Sequence, residues 1–268
     1  MALLHDALAP LRSDPSGSAV LLDIDGTLAP IVENAADASV PEATRQLLIA
    51  IARRFGLVAC ISGRRASEAR AMVSIGAISY IGSHGAELLQ AGWTEAVLDP
   101  ALAAWVQRMR AFAVGEDTTH LRRARIRLED KGAIIAFHWR GAPDEDVAVH
   151  LLQTVAERAR STDLEVHWGR KVMEVRPPVR IDKGDAVTGL IRRGHVRAAI
   201  YVGDDTTDLD AFRALAKLTE SGELQYGLRV GVRSEDGPAE LEAATDLLVD
   251  GTDGVQRLLA SLAVEQPS

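Results

Sequence analysis

The 268-residue chain has little cysteine, no surplus of positive charge and no long hydrophobic run. Its one cysteine, Cys60, excludes an intramolecular disulfide framework, and its place in the apolar run 57–61 indicates a core residue rather than a nucleophile. No run approaches the ~20 apolar residues that a membrane helix needs, and residues 1–15 lack the basic start of a signal peptide. We therefore expect a protein of the reducing cytoplasm without a membrane partner.

The charge balance limits the partners of the protein. Lysine and arginine number 30 against 38 aspartate and glutamate, so the net charge is -8. Proteins that neutralise many phosphates carry a broad surplus of basic residues, and the lack of one here argues against nonspecific binding to nucleic acid. A small anionic substrate needs only a local positive patch and stays compatible with this composition. We expect a small-molecule substrate and a monomer.

The two ends of the chain alternate apolar strands with helical patterns. Strands are predicted at 19–22, 57–61, 78–81, 198–202, 226–232 and 247–249, with helices at 41–55, 66–73, 183–193, 209–218 and 255–262. This alternation predicts an α/β fold with a doubly wound, mostly parallel, Rossmann-like sheet and helices on its faces. Residues 1–90 and 179–268 would together form this domain.

The middle of the chain, residues 91–178, follows a different pattern. Helices are predicted at 100–114 and 144–160, and each is followed by a hairpin, at 125–140 and 164–176. This order predicts a small sheet with two helices on one face. We expect an α+β cap domain inserted into the larger domain, with Pro177-Pro178 as its stiff exit.

Two carboxylates, Asp23 and Asp25, follow the first predicted strand and precede Gly26 and Thr27. Open parallel sheets place their chemistry at the carboxyl ends of strands. In phosphoryl transfer one carboxylate can attack phosphorus while the other handles the proton of the leaving group. An isolated D-x-D-G more often forms a solvated turn, so the pair indicates catalysis only in combination with other motifs.

A second acidic cluster, Gly203-Asp204-Asp205-Thr206-Thr207-Asp208, closes the predicted strand 198–202. An oxygen-liganded Mg²⁺ requires such a cluster at the same sheet edge as the first pair, and carboxylates this crowded repel one another without a cation. An EF-hand is excluded, because Leu209 stands where the calcium loop needs glycine and Leu215 where it needs glutamate. The alternative is a capped helix start, in which Asp204 or Thr206 accepts bonds from helix amides.

Two further signals are weak when taken alone. Ser62-Gly63-Arg64 lies between a strand and a helix, where a hydroxyl and helix N-terminal amides can hold phosphate oxygens. Lys183 opens the first helix after the inserted region and can neutralise phosphate and carboxylates. Lysine is far more often a solvated surface charge, however, so neither signal assigns a function by itself.

In this order, D-x-D-G-T, S-G-R, Lys and G-D-D-x-x-D resemble the four signature motifs of the haloacid dehalogenase superfamily. A finer resemblance, over about 20–259, is to trehalose-phosphate phosphatases. It is carried by L-D-I-D-G-T-L at 22–28, I-S-G-R at 61–64, G-S-H-G at 82–85, K-V-M-E-V-R-P at 171–177 and G-D-D-T-T-D-L-D-A-F at 203–212. Ile24 and Leu209 depart from the family pattern, at positions that we do not expect to touch phosphate.

The resemblance implies a magnesium-dependent phosphatase that acts on trehalose 6-phosphate, in trehalose biosynthesis, through an aspartyl-phosphate. Asp23 would be the nucleophile and a metal ligand, and Asp25 the general acid and base that offers its backbone carbonyl to Mg²⁺. Asp204 would ligate the metal, with Asp205 and Asp208 supporting it directly or through water. The other implied roles belong to Ser62 and Lys183, which would hold phosphoryl oxygens, and to Arg64, Glu129, Lys131, Lys171 and Glu174, which would bind the substrate.

Three other functions stay open from the sequence. Another sugar phosphate, such as sucrose phosphate or mannosyl-phosphoglycerate, would suit the same core and a similar cap. A response-regulator receiver also surrounds magnesium with acids, a hydroxyl and a lysine, but it is much shorter and places its acidic pair before a separate phosphorylated aspartate. A noncatalytic sugar-binding protein is disfavoured, because a binder needs no nucleophile together with a proton shuttle.

Overall fold

The computed structural model describes residues 2–32, 38–179, 182–234 and 237–264. The chain divides into a core unit, Met1–Val97 with Ile181–Ser268, and an inserted unit, Leu98–Arg180. None of the helices in the described ranges has both the length and the apolar character needed to cross a bilayer.

Strands and helices are numbered here in chain order over the described residues. The strands are β1 (Ser18–Leu22), β2 (Leu57–Ile61), β3 (Ser79–Gly82), β4 (Glu87–Leu89), β5 (Val97–Leu98), β6 (Arg127–Asp130), β7 (Ile135–His138), β8 (Glu165–Gly169), β9 (Val172–Arg176), β10 (Ala198–Gly203), β11 (Tyr226–Arg233) and β12 (Leu247–Asp250). The helices are α1 (Ala2–Ser13), α2 (Glu42–Ala52), α3 (Ala66–Val73), α4 (Pro100–Ala103), α5 (Val106–Glu116), α6 (Thr119–Arg123), α7 (Glu145–Ser161), α8 (Lys183–Gly194), α9 (Asp208–Glu220), α10 (Leu241–Ala244) and α11 (Gly251–Ala263).

β1 lies inside the core sheet because all five of its residues are small or apolar and can be buried on both faces. It pairs in parallel with β2 on one side and with β10 on the other. The full strand order is β12-β11-β10-β1-β2-β3-β4-β5, and β4 runs antiparallel to β3. The predicted α/β fold with a mostly parallel sheet is therefore confirmed.

Helices cover both faces of this sheet. On one face Val20 shares a hydrophobic core with Leu48 of α2 and Leu258 of α11. On the other face Leu21 shares a core with Val187 of α8, and with residues of α9. Because side chains alternate along a strand, neighbouring residues of β1 enter opposite cores, as a doubly wound sheet requires.

The chain connectivity creates a switch point beside β1. From β1 the chain moves outward to β2 and β3, returns to β10 on the opposite side of β1, and continues outward to β11 and β12. The loops that leave the carboxyl ends of β1 and β10 therefore diverge around a crevice, which is where open α/β sheets bind ligands. The residues that follow these two strands are the first candidates for a functional site.

The inserted unit contains a four-stranded antiparallel sheet in the order β6-β7-β9-β8. One face carries Phe137 and Val175, which share a hydrophobic core with Met109 of α5 and Leu152 of α7. Polar side chains alternate onto the other face. This unit has the helix, hairpin, helix, hairpin order that the sequence patterns predict, with the additional short helix α6.

Some short elements differ from the sequence prediction. The single helix predicted over 100–114 is wrong, because the amide of Trp105 bonds to the carbonyl of Leu102 in a tight turn that separates α4 from α5. The prediction also omits α1, β4, β5, α6 and α10. Most of these have five residues or fewer, too few to show a clear hydrophobic period.

Candidate active site

Three buried carboxylates meet at the switch point of the core sheet. Asp23 directly follows β1, Asp204 follows β10, and Asp208 is the first residue of α9. One oxygen from each carboxylate lies within 4.8 Å of the others, and the three residues are 4%, 3% and 0% exposed. The two acidic motifs therefore form one cluster, although Thr27, the last residue of the first motif, precedes Asp204 by 177 positions.

Two glycines allow the acidic loops to approach so closely. Gly26 has a φ of +86°, and a Cβ there would lie 2.1 Å from Oδ2 of Asp204. A Cβ on Gly203 would lie 2.3 Å from Cγ of Asp208. Both distances are far shorter than van der Waals contact, so any side chain at either position would push the carboxylates apart.

Lys183 supplies the positive charge inside the cluster. Its Nζ lies 2.7 Å from Oδ1 of Asp23 and 2.7 Å from Oδ1 of Asp208. Burial opposes the charge of the ammonium group, but the carboxylates of Asp208 and Asp23 outweigh it and raise the pKa of Lys183. The alternative of a solvated surface lysine is wrong, because the residue is 2% exposed.

Asp208 organises the cluster and has no acceptor position left. Its Oδ1 accepts from Lys183 and, at 2.6 Å, from the hydroxyl of Tyr201. Its Oδ2 accepts from the backbone amides of Asp204 and Asp205 at 2.9 and 3.0 Å. Since a carboxylate offers about four lone-pair positions, Asp208 is saturated, and its bonds fix the loop that carries Asp204.

Asp23 and Asp204 each keep one oxygen without a hydrogen bond from the described residues. Oδ1 of Asp23 accepts from Lys183, and Oδ1 of Asp204 accepts from the hydroxyl of Thr27 at 3.0 Å. The other oxygen of each carboxylate, Oδ2, is the one available to a ligand. Asp205 is arranged differently: its Oδ1 accepts from the hydroxyl of Thr207 at 2.7 Å, and it is not one of the three grouped carboxylates.

The charges of the cluster fit a divalent cation. Three carboxylates and one ammonium group leave two negative charges uncompensated in a buried site. Burial raises the pKa of Asp23 and raises that of Asp204 from 3.8 to about 7, which means that the chain alone does not fully stabilise these charges. Carboxylate oxygens are ligands that Mg²⁺ prefers, so Asp23 and Asp204 could hold it.

The side chain of Asp25 is paired with Arg64. Nε of Arg64 donates to Oδ2 of Asp25 at 2.7 Å, and Nη2 donates to Oδ1 at 2.6 Å. The bidentate pair joins the loop after β1 to the loop after β2. Arg64, which the family resemblance assigns to substrate binding, therefore also contacts the second acidic residue of the D-x-D-G-T motif.

The loop 62–66 holds its own polar groups more tightly than the sequence indicated. Oγ of Ser62 accepts from the amide of Arg64 at 3.1 Å. The amide of Ala66, at the start of α3, donates to Glu87 at 2.9 Å, so that helix amide already has an anionic partner. Ser62 remains the hydroxyl of this loop. Sequence reasoning missed Tyr201 and Glu87, a buried acid on the unpredicted β4, and it named Thr27 in the first motif without giving it a role.

Four of the predicted substrate-binding residues belong to the inserted unit, and three of them lie together on the polar face of its sheet. Glu129 accepts from His138, with Oε2 and Nε2 2.7 Å apart. Oε1 of Glu174 accepts from Lys131 at 3.1 Å and its Oε2 accepts from Arg176 at 3.1 Å. The fourth residue, Lys171 at the β8–β9 turn, pairs instead with Glu145 at the start of α7.

The pairing of Glu174 predicts a contribution to stability at acid pH. Burial would raise its pKa, but Arg176 and Lys131 outweigh burial and lower it from 4.5 to about 2. A carboxyl group with a lowered pKa stabilises the fold fully at pH values above its usual pKa of 4.5. This stabilisation is lost as the pH falls from 4.5 towards 2. At about 1.4 kcal/mol per pH unit, the loss would be on the order of 3 kcal/mol.

We therefore expect Glu174→Gln to be less stable than the parent protein near neutral pH and to lose less further stability on acidification. Denaturant unfolding over this pH range checks the prediction, with Glu165→Gln, on an exposed edge-strand residue, as the matched control. Parallel stability curves for the parent and Glu174→Gln would contradict it.

A family model, similar sequences and a similar solved structure indicate the family of the chain. Residues 21–246 match the family model described as trehalose-phosphatase. A probable trehalose-phosphate phosphatase of Sinorhizobium fredii is 33% identical over 220 residues, which cover 81% of this chain and 81% of that protein. A trehalose-phosphate phosphatase of Mycobacterium marinum is 33% identical over 225 residues, which cover 80% of this chain and 57% of that protein. A solved structure described as a trehalose-6-phosphate phosphatase related protein has a TM-score of 0.71 at 22% identity, over 91% of this chain and 96% of that one, which supports the fold.

Proposed function

The chain belongs to the trehalose-phosphatase family, and on that premise we propose that it hydrolyses trehalose 6-phosphate to trehalose and phosphate through an aspartyl-phosphate on Asp23. The observation that carries the proposal is the buried Asp23 beside Lys183 at the switch point of the sheet. A carboxylate held there next to a fixed cation suits nucleophilic attack on a phosphate dianion, whose charge the ammonium group offsets.

The two carboxylates of the first motif would divide the chemistry. Asp23 attacks phosphorus while the bond from phosphorus to the sugar oxygen breaks, and Asp25 delivers a proton to that oxygen. Water then attacks the phosphorus of the aspartyl-phosphate, Asp25 accepts the proton of the water, and the carboxylate of Asp23 is released with inorganic phosphate. Because Arg64 occupies both oxygens of Asp25, its guanidinium must first move, and the incoming phosphate dianion offers it an alternative partner.

Mg²⁺ would neutralise the acidic cluster and polarise the phosphoryl oxygens. Asp23 and Asp204, each with one open oxygen, would hold it together with the backbone carbonyl of Asp25. Asp208 would act indirectly, since its four acceptor positions are filled by Lys183, Tyr201 and two loop amides. Asp205 would likewise contribute charge rather than a direct bond, and Ser62 would donate its hydroxyl to a phosphoryl oxygen.

The proposal predicts that Mg²⁺ stabilises the protein more at higher pH. The raised pKa of Asp204, about 7, means that the metal-free fold loses stability as the pH rises from 3.8 through 7, while Mg²⁺ competes with the bound proton below 7. We expect excess Mg²⁺ to raise the thermal midpoint, by an amount equivalent to about 2.7 kcal/mol at 100 times its Kd, and EDTA to abolish turnover.

Thermal unfolding with MgCl₂ or EDTA, well above and well below pH 7, measures this effect. Asp204→Asn should remove most of the Mg²⁺ response, whereas Asp210→Asn, at a half-buried residue of α9 that pairs with Arg213 and lies outside the three grouped carboxylates, should keep it. Full turnover in EDTA would contradict the metal dependence.

The inserted unit would supply substrate specificity. Glu129 and Glu174 offer acceptors and Lys131 offers donors on one sheet face, which suits a sugar with many hydroxyl groups. Lys171 would contribute at the turn of the second hairpin. We therefore expect Glu129→Ala and Glu174→Ala to lose far more activity on trehalose 6-phosphate than on p-nitrophenyl phosphate, which has no sugar to bind.

Steady-state kinetics on both substrates check this expectation, with Glu165→Ala as the matched control. Equal losses on both substrates would show that these glutamates do not bind the sugar.

The direct test of the proposed function is phosphate release from a panel of phosphosugars that contains trehalose 6-phosphate, sucrose phosphate and mannosyl-phosphoglycerate. We expect the highest kcat/KM for trehalose 6-phosphate. A higher value for another sugar phosphate would retain the phosphatase and replace the substrate.

A further inference from the structure

Glu129 and Glu174 are arranged symmetrically about one strand of the inserted sheet. Glu129 of β6 and Glu174 of β9 are both register partners of Ala136, on the intervening β7. Two strand spacings, ~10 Å, therefore separate their backbones, with only a methyl group between. Phe137, next to Ala136, and Met173, next to Glu174, lie on the opposite face and join the core of the unit.

The two carboxylates are held in different ways. Glu174 contacts two cations, Lys131 at Oε1 and Arg176 at Oε2, and both of its oxygens are engaged. Glu129 is fixed at one oxygen only: Oε2 accepts from Nε2 of His138 at 2.7 Å. Its Oε1 accepts no hydrogen bond from a described residue, and the nearest cation, Arg127, is 3.9 Å from Oε2.

His138 holds Glu129 through one hydrogen bond. Burial lowers the pKa of His138 although Glu129 opposes this effect, which favours the uncharged imidazole. The carboxylate cannot donate a proton, and the shared hydrogen is therefore the one on Nε2 of His138. The bond from His138 thus fixes the orientation of the Glu129 carboxylate.

We propose that His138 is a positioning residue for sugar recognition: it anchors Oε2 of Glu129 and so presents Oε1 as an acceptor for the hydroxyl groups of the substrate. The inference rests on the proposed function, since it deepens the role of Glu129 in the inserted unit. A carboxylate with one anchored oxygen loses little rotamer freedom on binding, which lowers the cost of recognition.

Steady-state kinetics of His138→Leu, His138→Gln and the control His150→Leu test the proposal. His150 lies on α7 and is exposed. With trehalose 6-phosphate we expect His138→Leu to lose about 10- to 100-fold in kcat/KM, the range for a hydrogen bond to a charged group, chiefly through a higher KM. With p-nitrophenyl phosphate the same variant should stay within about twofold of the parent. His138→Gln, whose amide can donate to Glu129, should recover most of the loss, and His150→Leu should match the parent.

Three results would overturn the proposal: unchanged kcat/KM of His138→Leu on the sugar phosphate, an equal loss on both substrates, or no recovery with His138→Gln. If the parent prefers another phosphosugar from the panel, that compound replaces trehalose 6-phosphate in the same comparison. The proposed substrate would then be wrong, while the role of His138 would still be decided.

Discussion

Asp23→Asn is expected to abolish turnover, with a fall in kcat of about 10⁶-fold, as seen when a hydrolase loses its nucleophile. An amide cannot attack phosphorus as a carboxylate does. The loss should not come from unfolding. Burial already raises the pKa of Asp23, so replacing its charge with an amide of the same size relieves a cost in the metal-free protein, and the variant should be no less stable than the parent. Phosphate release and thermal unfolding, measured together, check both parts.

Asp25→Asn is the matched comparison for this prediction. It keeps the nucleophile and the backbone carbonyl, but removes the proton donor and acceptor, and should cost about 10²- to 10⁴-fold on a sugar phosphate. With p-nitrophenyl phosphate, whose leaving group needs no proton, the first step should recover in part. Full activity of Asp23→Asn, or identical behaviour of the two variants on both substrates, would contradict the division of roles.

Lys183→Met is expected to show the second largest effect, on stability as well as on activity. Nζ of Lys183 lies 2.7 Å from both Asp23 and Asp208 inside a buried site. Removing one partner of a buried ion pair leaves uncompensated charge and costs about 3–5 kcal/mol. We also expect no measurable turnover, because the phosphate dianion would then face the carboxylates without this cation.

Lys217→Met, on the exposed side of the helix α9, is the control and should match the parent in stability and activity. Denaturant unfolding and phosphate release measure the difference. Excess Mg²⁺ should recover part of the stability of Lys183→Met and none of its activity. A Lys183→Met protein as stable and active as the parent would show that the ammonium group has no role in the cluster.

The sequence allowed the sheet and the position of the site to be predicted, for a physical reason. The apolar runs around Val20 and Ile200 can be satisfied only as buried strands, and each run ends abruptly in acidic residues. Once parallel pairing brings two such strand ends together, Asp23 and Asp204 must lie close to each other. That step requires the chain topology but no side-chain detail.

The hydrogen bonds inside the site could not be predicted in the same way. The saturation of Asp208 depends on Tyr201, which in the sequence is only one more residue of a hydrophobic strand. A buried phenol needs a polar partner, so a tyrosine in this strand was a signal that a hydrogen-bond acceptor lies near its hydroxyl. The pair between Asp25 and Arg64 depends on loop geometry, which hydrophobic periodicity does not predict.

The inserted unit shows the same limit. The order of helices and hairpins predicted a small sheet with two helices on one face, but the hairpin register decides that Glu129 and Glu174 both flank Ala136. A shift of one residue would have moved these side chains to the opposite face. Likewise, the spacing of Lys171 in the hairpin gave no sign of its pairing with Glu145 of α7.

The central claim, that Asp23 is the nucleophile, is tested most directly by trapping the covalent intermediate. Asp25→Asn is mixed with p-nitrophenyl phosphate and Mg²⁺, quenched rapidly in acid, digested and analysed by mass spectrometry. Loss of the second-step base should let the intermediate accumulate, so we predict phosphate on the peptide that contains Asp23, and none when Asp23 is also changed to Asn. Phosphate on a serine or histidine, or on another peptide of the double variant, would contradict the mechanism.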